Sequence, residues 1–398
     1  MRVLIFGAGG VGLGFMGDLL SRADAQLVFA DVNSALVESL AARGEYTISK
    51  ADLQSISPLT VGRVEAIDTG GQAGLDALAG ELIRCDFAIT SLGARVLPLV
   101  GRTVAELLRD LPPRELAFNF LCCENHRDAA ALLHDAMAEV LGAEQAAGRC
   151  GFVNTVVGRM CQNLTRAERD LPPLTPDLET VILVEDYDPF PVDAGALRGQ
   201  VPDMPHLEPV PTGQFQAYEH RKLYGHNGTH ALLAVLGKLR GYELFAQTGA
   251  DPALDRAGRR ALWEEMGAAL VQAHPQYFTA ETMDAFAANL YARLVNPVFG
   301  DQIERGARDT LRMIRPEDGR LSGAALFVAG QGREPRALCL GVAAALRDND
   351  LGLEGLAEAL AEAPPEAAAV VRDLVAAAEE ALAAESAGDR EALGEFLR

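Results

Sequence analysis

The first twenty residues constrain the fold more than any other stretch. Val3-Leu4-Ile5-Phe6 is a short apolar run, right for a buried strand. It passes without a linker into Gly7-Ala8-Gly9-Gly10-Val11-Gly12, and Leu13 to Leu20 then reads as a helix. A GxGxxG pattern alone is a weak signal; the strand before it and the helix after it give it content. Gly7 permits a tight turn, Gly9 lets backbone approach a pyrophosphate, and Gly12 lets the helix pack closely on the strand. The helix N-terminus offers amide donors and a partial positive charge to phosphates. The whole loop, Gly7, Ala8, Gly9, Gly10, Val11 and Gly12, is therefore the expected cradle of a dinucleotide.

A second strand, Gln26 to Ala30, ends at Asp31, at about the 20-residue offset from the glycines that the fingerprint requires. A carboxylate there accepts from ribose hydroxyls and repels a 2′-phosphate, so the expected cofactor is NAD rather than NADP. The bland alternative is that Asp31 only helps to start a helix at Asn33. Beyond it, strands and helices alternate, which argues for a parallel sheet with helices on both faces. Phe87 to Thr90 is a strand leading to Ser91-Leu92-Gly93, small or slim residues expected against the cofactor. Leu116 to Phe120 is the next strand, ending near Cys122-Cys123-Glu124-Asn125. Ligands bind beyond the carboxyl ends of such strands, which puts Asn125 within reach of the nicotinamide or the reacting oxygen. Its bland reading is a cap on the helix starting near Arg127.

Asn163 to Pro176 is polar and reads as a loop, Thr180 to Val184 as a last strand, and Asp186 to Pro211 is rich in Pro, Asp and Gly. The domain boundary is expected there: residues 1–190 form a Rossmann-type doubly wound α/β domain, and residues 191–398 a mostly α-helical substrate domain. In the second part Leu232, Leu233, Leu236 and Leu239 read as one buried helix, and Leu262, Met266 and Leu270 as another. The Ala/Glu/Leu-rich tail after Leu353 reads as exposed helices.

The chemistry is concentrated in Tyr218 to Gly241, where Lys222, Asn227 and His230 fall within nine residues. An amine can take a hydroxyl proton, and neutral donors can hold an oxygen that is becoming a carbonyl. At about 100° per residue, His230 lies roughly 80° around an α-helix from Lys222, and Asn227 about 140°. The lysine would have to lean inward. Read one at a time, Lys222 is a surface charge and His230 a core histidine; the ordered set is what points to catalysis. His226 and His230 also show the i, i+4 spacing of a zinc pair, but HNGTH lacks the glutamate of HExxH and no cysteine cluster supports it, so no metal is expected. Arg305, Arg308 and Arg312 are spaced as one helix face that could hold a phosphate or several hydroxyls.

Composition excludes other classes. A formal charge of -21 leaves no basic face for nucleic acid. The six cysteines show no CxxC spacing or regular framework, which fits reduced thiols in a cytoplasmic protein. Val3 to Phe6 is too short for a signal-peptide core, and no run of about 18 apolar residues suggests a membrane span.

An ordered series of motifs resembles the polyol-specific long-chain dehydrogenases, the mannitol dehydrogenase family. It comprises FGAGGVGLGF at Phe6–Phe15, FADVN at Phe29–Asn33, CEN at Cys123–Asn125 and GFVNTVVGR at Gly151–Arg159. It continues with RKLYGHNGTH at Arg221–His230, LGKLRG at Leu236–Gly241 and NPVFGDQIERGARDTLR at Asn296–Arg312. The resemblance implies a Rossmann domain joined to a helical domain, metal-free chemistry in the cleft, and often a monomer; a monomer or weak homo-oligomer is expected. It implies Lys222 as general acid/base, with Asn125, Asn227 and His230 holding the substrate oxygen. Arg305 would contact substrate hydroxyls, and Glu219 would lie on the proton route. Three positions depart from the family: Gly158 where an aspartate is common, Met313 where a lysine often stands, and Phe190 in place of a tryptophan. The expected reaction is reversible NAD-dependent oxidation of a sugar alcohol to a ketose, preferably phosphorylated, as in mannitol 1-phosphate to fructose 6-phosphate. A free polyol or a hexuronate/hexonate pair is the alternative within the class, and a noncatalytic NAD-binding sensor the alternative outside it.

Overall fold

The computed structural model describes every residue of the chain except Pro113, Glu115, Leu116, Glu317 and Arg390. It divides into two compact units, Met1–Gln216 and Ala217–Arg398. The first is built on six strands: β1 (Arg2–Phe6), β2 (Gln26–Asp31), β3 (Val64–Asp68), β4 (Phe87–Thr90), β5 (Phe118–Cys122) and β6 (Cys150–Asn154). They pair in parallel in the order β3-β2-β1-β4-β5-β6. This is the doubly wound order of a dinucleotide-binding sheet, with the switch in direction between β1 and β4. Val3, Leu4 and Ile5 are fully buried, as expected for a strand covered on both faces. The start of the fifth strand expected at Leu116 lies outside the described residues; β5 runs from Phe118.

The strict alternation of strands and helices does not hold. A second sheet of four strands is ordered Ile56–Gly62, Glu45–Ala51, Thr180–Glu185, Cys161–Thr165. The hairpin turn closes on Asp52, whose Oδ1 accepts from the amides of Gln54 at 2.6 Å and Ser55 at 2.7 Å. Pro58 is tolerated because its strand is at the edge. The expected loop from Asn163 is corrected too: Asn163 to Thr165 is strand, paired antiparallel with Thr180 to Ile182. Polarity there reflects one exposed face, not the absence of structure.

The second sheet packs on the helix that follows the glycine loop. A Cβ on Gly17 would lie 1.9 Å from the Tyr46 hydroxyl, which donates to the Leu13 carbonyl at 2.7 Å. Buried Arg159 braces the same helix, donating to Asp18 at 2.7 Å and to the Tyr187 carbonyl at 2.8 Å, with its guanidinium over Phe15 and paired with Asp188. Beyond it, Phe190–Asp193 and Leu207–Val210 form a parallel pair inside the Pro-, Asp- and Gly-rich stretch.

In the second unit every residue from Ala337 to Leu346 is buried, making the helix Arg336–Asp348 its axis. Leu232, Leu233 and Leu236 are buried beside it, whereas Leu239, at the end of its helix, is 40% exposed. The carboxylate of buried Glu265 holds the first turn of this axis, accepting from the amides of Ala337 and Leu338. Burial pushes its pKa up to about 7 against those hydrogen bonds and the nearby Arg260. The tail is not a set of exposed helices. Val371, Val375, Ala378 and Leu382 form one buried stripe of the helix Pro365–Ser386, and Leu393 and Phe396 join the same core. No helix among the described residues is long and apolar enough to cross a membrane.

Candidate active site

In the first unit the turn after β1 is held from two sides. Gly7 has φ +96°, a conformation that favours glycine, and its amide donates to the Ala30 carbonyl at the end of β2. A Cβ on Gly12 would stand 2.2 Å from the Gly7 carbonyl oxygen, so a side chain there would force the loop apart. Ser91, just past β4, donates its hydroxyl to the Gly7 carbonyl at 3.0 Å. Asp31 closes the other side: one carboxylate oxygen accepts from the Ala8 amide at 2.7 Å and the other from Asn33 at 2.9 Å. Asp31 thus fastens the glycine loop and prepares the next helix, whose N-cap is Asn33. The expected loop residues Gly7 to Gly12, Asp31 and Ser91 come together at the carboxyl ends of β1, β2 and β4.

The chain after the loop is not the plain α-helix expected from Leu13. Gly10–Met16 is wound as a π-type segment, and α-helical turns start at Gly17.

Beside β4 and β5 lies a group that the sequence pattern had not singled out. Glu124 is buried, and its carboxylate accepts from the Thr90 hydroxyl at 2.8 Å and the Leu92 amide at 3.2 Å. Burial raises its pKa, opposed by those bonds. The acid therefore ties the ends of both strands, while its neighbour Asn125 is exposed at the same end of the sheet. The helix near Arg127 starts at Ala129, and Asn154 supplies the acceptor for its early amide at Ala130.

The helix Thr212–His220, which begins five residues before the second unit and carries Glu219 in its last turn, runs on without a break through Arg221–Asn227 and Gly228–Leu239. The middle segment is π-wound, so residues five apart are bonded one turn up and lie near one face. This changes the α-helical expectation. The wider turn brings Asn227 nearer to the side of Lys222 than the roughly 140° of an α-helix. Gly228 serves a close approach here, since a Cβ would meet the Arg320 carbonyl at 2.8 Å.

Lys222 has a depressed pKa of about 8. Desolvation by burial is the main cause, the Arg320 cation adds to it, and Asp318 opposes it. Asp318 is shared, accepting from Arg320 at 2.5 Å and pairing with Arg312 at 3.0 Å. His226 is buried and held neutral, its pKa well below the usual histidine range through burial and the cations around it. His230 lies flat on Phe245, with centroids 4.2 Å apart, and its Nε2 meets Asp301 at 2.9 Å. Arg305 grips the other oxygen of Asp301 through Nε at 2.9 Å and Nη2 at 2.6 Å. Burial would raise the Asp301 carboxyl, but His230 and Arg305 carry it down to about 2. Asp301, Phe245, Arg320 and Asp318 were all missed from sequence. Only the i, i+4 pair of Asp301 and Arg305 left a local trace.

The arginine face is corrected. The helix there is only Ile303–Gly306; Arg308 is exposed beyond it, and Arg312 begins a separate short turn against Asp318. Among the described residues no group of three His, Cys, Asp or Glu is arranged to hold a metal. The departures from the family have local causes. A Cβ on Gly158 would lie 2.7 Å from the Tyr187 ring, Met313 is buried in the helical core where a lysine would bury its charge, and Phe190 packs edge-on against Phe15.

Comparisons with known proteins agree with this architecture. The family model for the mannitol dehydrogenase Rossmann domain matches residues 1–204, and that for the mannitol dehydrogenase C-terminal domain matches 214–380. A mannitol-1-phosphate 5-dehydrogenase of Bacillus licheniformis is 32% identical over 351 residues, 87% of this chain and 88% of that one. One of Anoxybacillus flavithermus is 30% identical over 364 residues, 90% of each. Among solved structures, a D-sorbitol dehydrogenase in substrate-free form superposes with a TM-score of 0.73 at 14% identity, covering 100% of this chain and 94% of that one. The Pseudomonas fluorescens mannitol 2-dehydrogenase, solved with NAD and D-mannitol, gives 0.67 at 14% identity, covering 100% and 93%. These two share the fold. With both of its domain models matched in order along the chain, the protein belongs to the mannitol dehydrogenase family and is a polyol dehydrogenase.

Proposed function

We propose that the protein carries out reversible, NAD-dependent oxidation of a phosphorylated sugar alcohol, mannitol 1-phosphate to fructose 6-phosphate, with Lys222 as general acid/base. The observation that carries the reading is the placement of Lys222, half-buried beside Arg320 with its pKa lowered to about 8, in the helix that also carries Asn227 and His230. A lysine at its ordinary value of about 10.4 is almost wholly protonated at neutral pH; at about 8, useful fractions of both forms exist.

The residues present fit a dinucleotide. Gly7 and Gly12 leave backbone bare where side chains would collide, and Asp31 stands at the end of β2 where ribose hydroxyls are recognised. Gly7 to Gly12 would hold the pyrophosphate, Asp31 the adenosine ribose, and Ser91 and Leu92 the side of the crevice at β4. Bound NAD supplies the hydride acceptor. The neutral Lys222 amine takes the hydroxyl proton in oxidation and returns it in reduction. Asn227 donates to the oxygen as charge develops on it. Each such donor is worth about 2–4 kcal/mol when already aimed. Preference for a phosphorylated substrate rests on the names of the two bacterial relatives.

The test is NADH consumption with fructose 6-phosphate, free fructose and a keto-uronate, each followed to kcat/KM. The ketose phosphate is expected to exceed the free ketose by at least about 100-fold, the worth of one or two charged contacts. A higher value for the free ketose would transfer the assignment to a free polyol. NADH binding without turnover on any of them would make the chain a sensor.

A further inference from the structure

Two buried glutamates of this chain are compensated differently. Glu265, in the helical unit, accepts from two backbone amides and has the Arg260 cation beside it. Glu124, in the first unit, is 6% exposed and accepts only from the Thr90 hydroxyl on Oε2 and the Leu92 amide on Oε1. Among the described residues no lysine, arginine or histidine balances it. The titratable groups that bear on it are the thiols of Cys122 and Cys123 in β5 and just past it, which burial keeps neutral.

An ionised carboxylate accepts hydrogen bonds and donates none, which suits the two donors that Thr90 and Leu92 supply. A charge so deeply placed is nevertheless costly without a cation. Its position in the sheet shows where a cation would come from. With Asp31 at the end of β2 taking the adenosine ribose, the adenosine half of the cofactor belongs to the β1–β3 side of the switch point, and the nicotinamide half to β4–β6. Glu124 stands on that second side, just past β5 and tied to Leu92 just past β4. The nicotinamide ring is positive in NAD⁺ and neutral in NADH.

We propose that Glu124 is the counter-charge for the oxidised nicotinamide ring, a residue that sets the preference of the site for NAD⁺ over NADH. The same charge favours ketose reduction, in which hydride leaves the neutral ring and a cation remains. This inference rests on the NAD-dependent reading given above and is independent of which polyol is the substrate.

Binding of each cofactor form to the whole protein without substrate, followed by calorimetry, isolates the effect. In Glu124→Gln the shape is kept and the charge is gone. Kd for NAD⁺ should rise about tenfold, the worth of one charge pair at protein dielectric, while Kd for NADH changes by less than about twofold. A glutamate that only tied the strand ends together would move both constants alike. The parent supplies a second measurement that needs no variant. Burial has raised the Glu124 pKa, so near pH 5.5 part of the carboxyl is protonated. NAD⁺ should expel that proton and NADH should not, which titration in buffers of different ionisation enthalpy detects.

Equal weakening of both forms in Glu124→Gln overturns the proposal. So does proton release from the parent that is the same for both forms, even if the variant fails to fold. If the parent binds neither form, the dinucleotide reading itself falls and the proposal falls with it.

Discussion

The glycine loop of the first unit and the lysine segment of the second are made in the same way, each a π-wound stretch running into an α-helix, yet they solve opposite problems. Gly10–Met16 follows a turn that must leave backbone bare, and steric room governs it: at Gly7 and Gly12 the next backbone lies where a Cβ would be. Arg221–Asn227 must keep a side chain partly out of water, and electrostatics governs it, through the half-buried Lys222 and the cation of Arg320. The first region tolerates almost no change of shape and little depends on its charges. The second tolerates changes of shape, but its function depends on one pKa.

The sharpest way to separate the regions is to remove the amine and keep its volume. Lys222→Met is expected to lower kcat by about 10²- to 10⁴-fold, the usual contribution of a positioned acid/base group. NADH affinity, read by fluorescence titration, should stay within about threefold, because the cofactor cradle belongs to the other region. A variant that turns over within tenfold of the parent would remove the lysine from the mechanism.

The converse is Gly12→Ala. Its methyl group would meet the Gly7 carbonyl at 2.2 Å, so the loop must open, at a cost of about 1–3 kcal/mol. Melting temperature and NADH affinity should both fall, affinity by tenfold or more, while the pH dependence of the remaining activity keeps its midpoint. A shifted midpoint would mean that the two regions are not independent.

The same division explains what the sequence disclosed. Glycines that make room are visible in a one-dimensional pattern because the steric rule acts on residues a few places apart. Hence β1 and β2 were legible to within a residue, with the glycine loop between them and Asp31 at the end of β2. The hairpin Glu45–Gly62 was not, because its strands owe their stability to pairing with Thr180–Glu185 more than a hundred positions later. Around Lys222 the residue types were legible and their environment was not. Asp301 reaches His230 across 71 positions, and Arg320 reaches Lys222 across nearly a hundred, by packing that leaves no periodic trace. The π winding was hidden as well. The residue spacing placed Lys222 and Asn227 on an α-helix, and only the fold shows the wider turn of Arg221–Asn227.

The finest test acts on that environment without touching the amine. Burial lowers the Lys222 pKa and the Arg320 cation lowers it further, whereas Asp318 raises it. Arg320→Gln removes a lowering influence and leaves Asp318 with Arg312 as its cation, so the lysine pKa must rise, by about one unit for a nearby charge. Oxidation uses the neutral amine, and its rate in the parent should climb with pH through a midpoint near 8; in the variant the midpoint moves up by the same unit. At pH 7 the neutral fraction then falls about tenfold, and oxidation with it. Reduction uses the protonated amine, which is already the main form at pH 7, so its rate there should hardly change. Opposite responses of the two directions at one pH distinguish a shifted pKa from general damage, which would lower both. Profiles for the two directions that move together would show that Arg320 acts on the second region through its shape and not its charge.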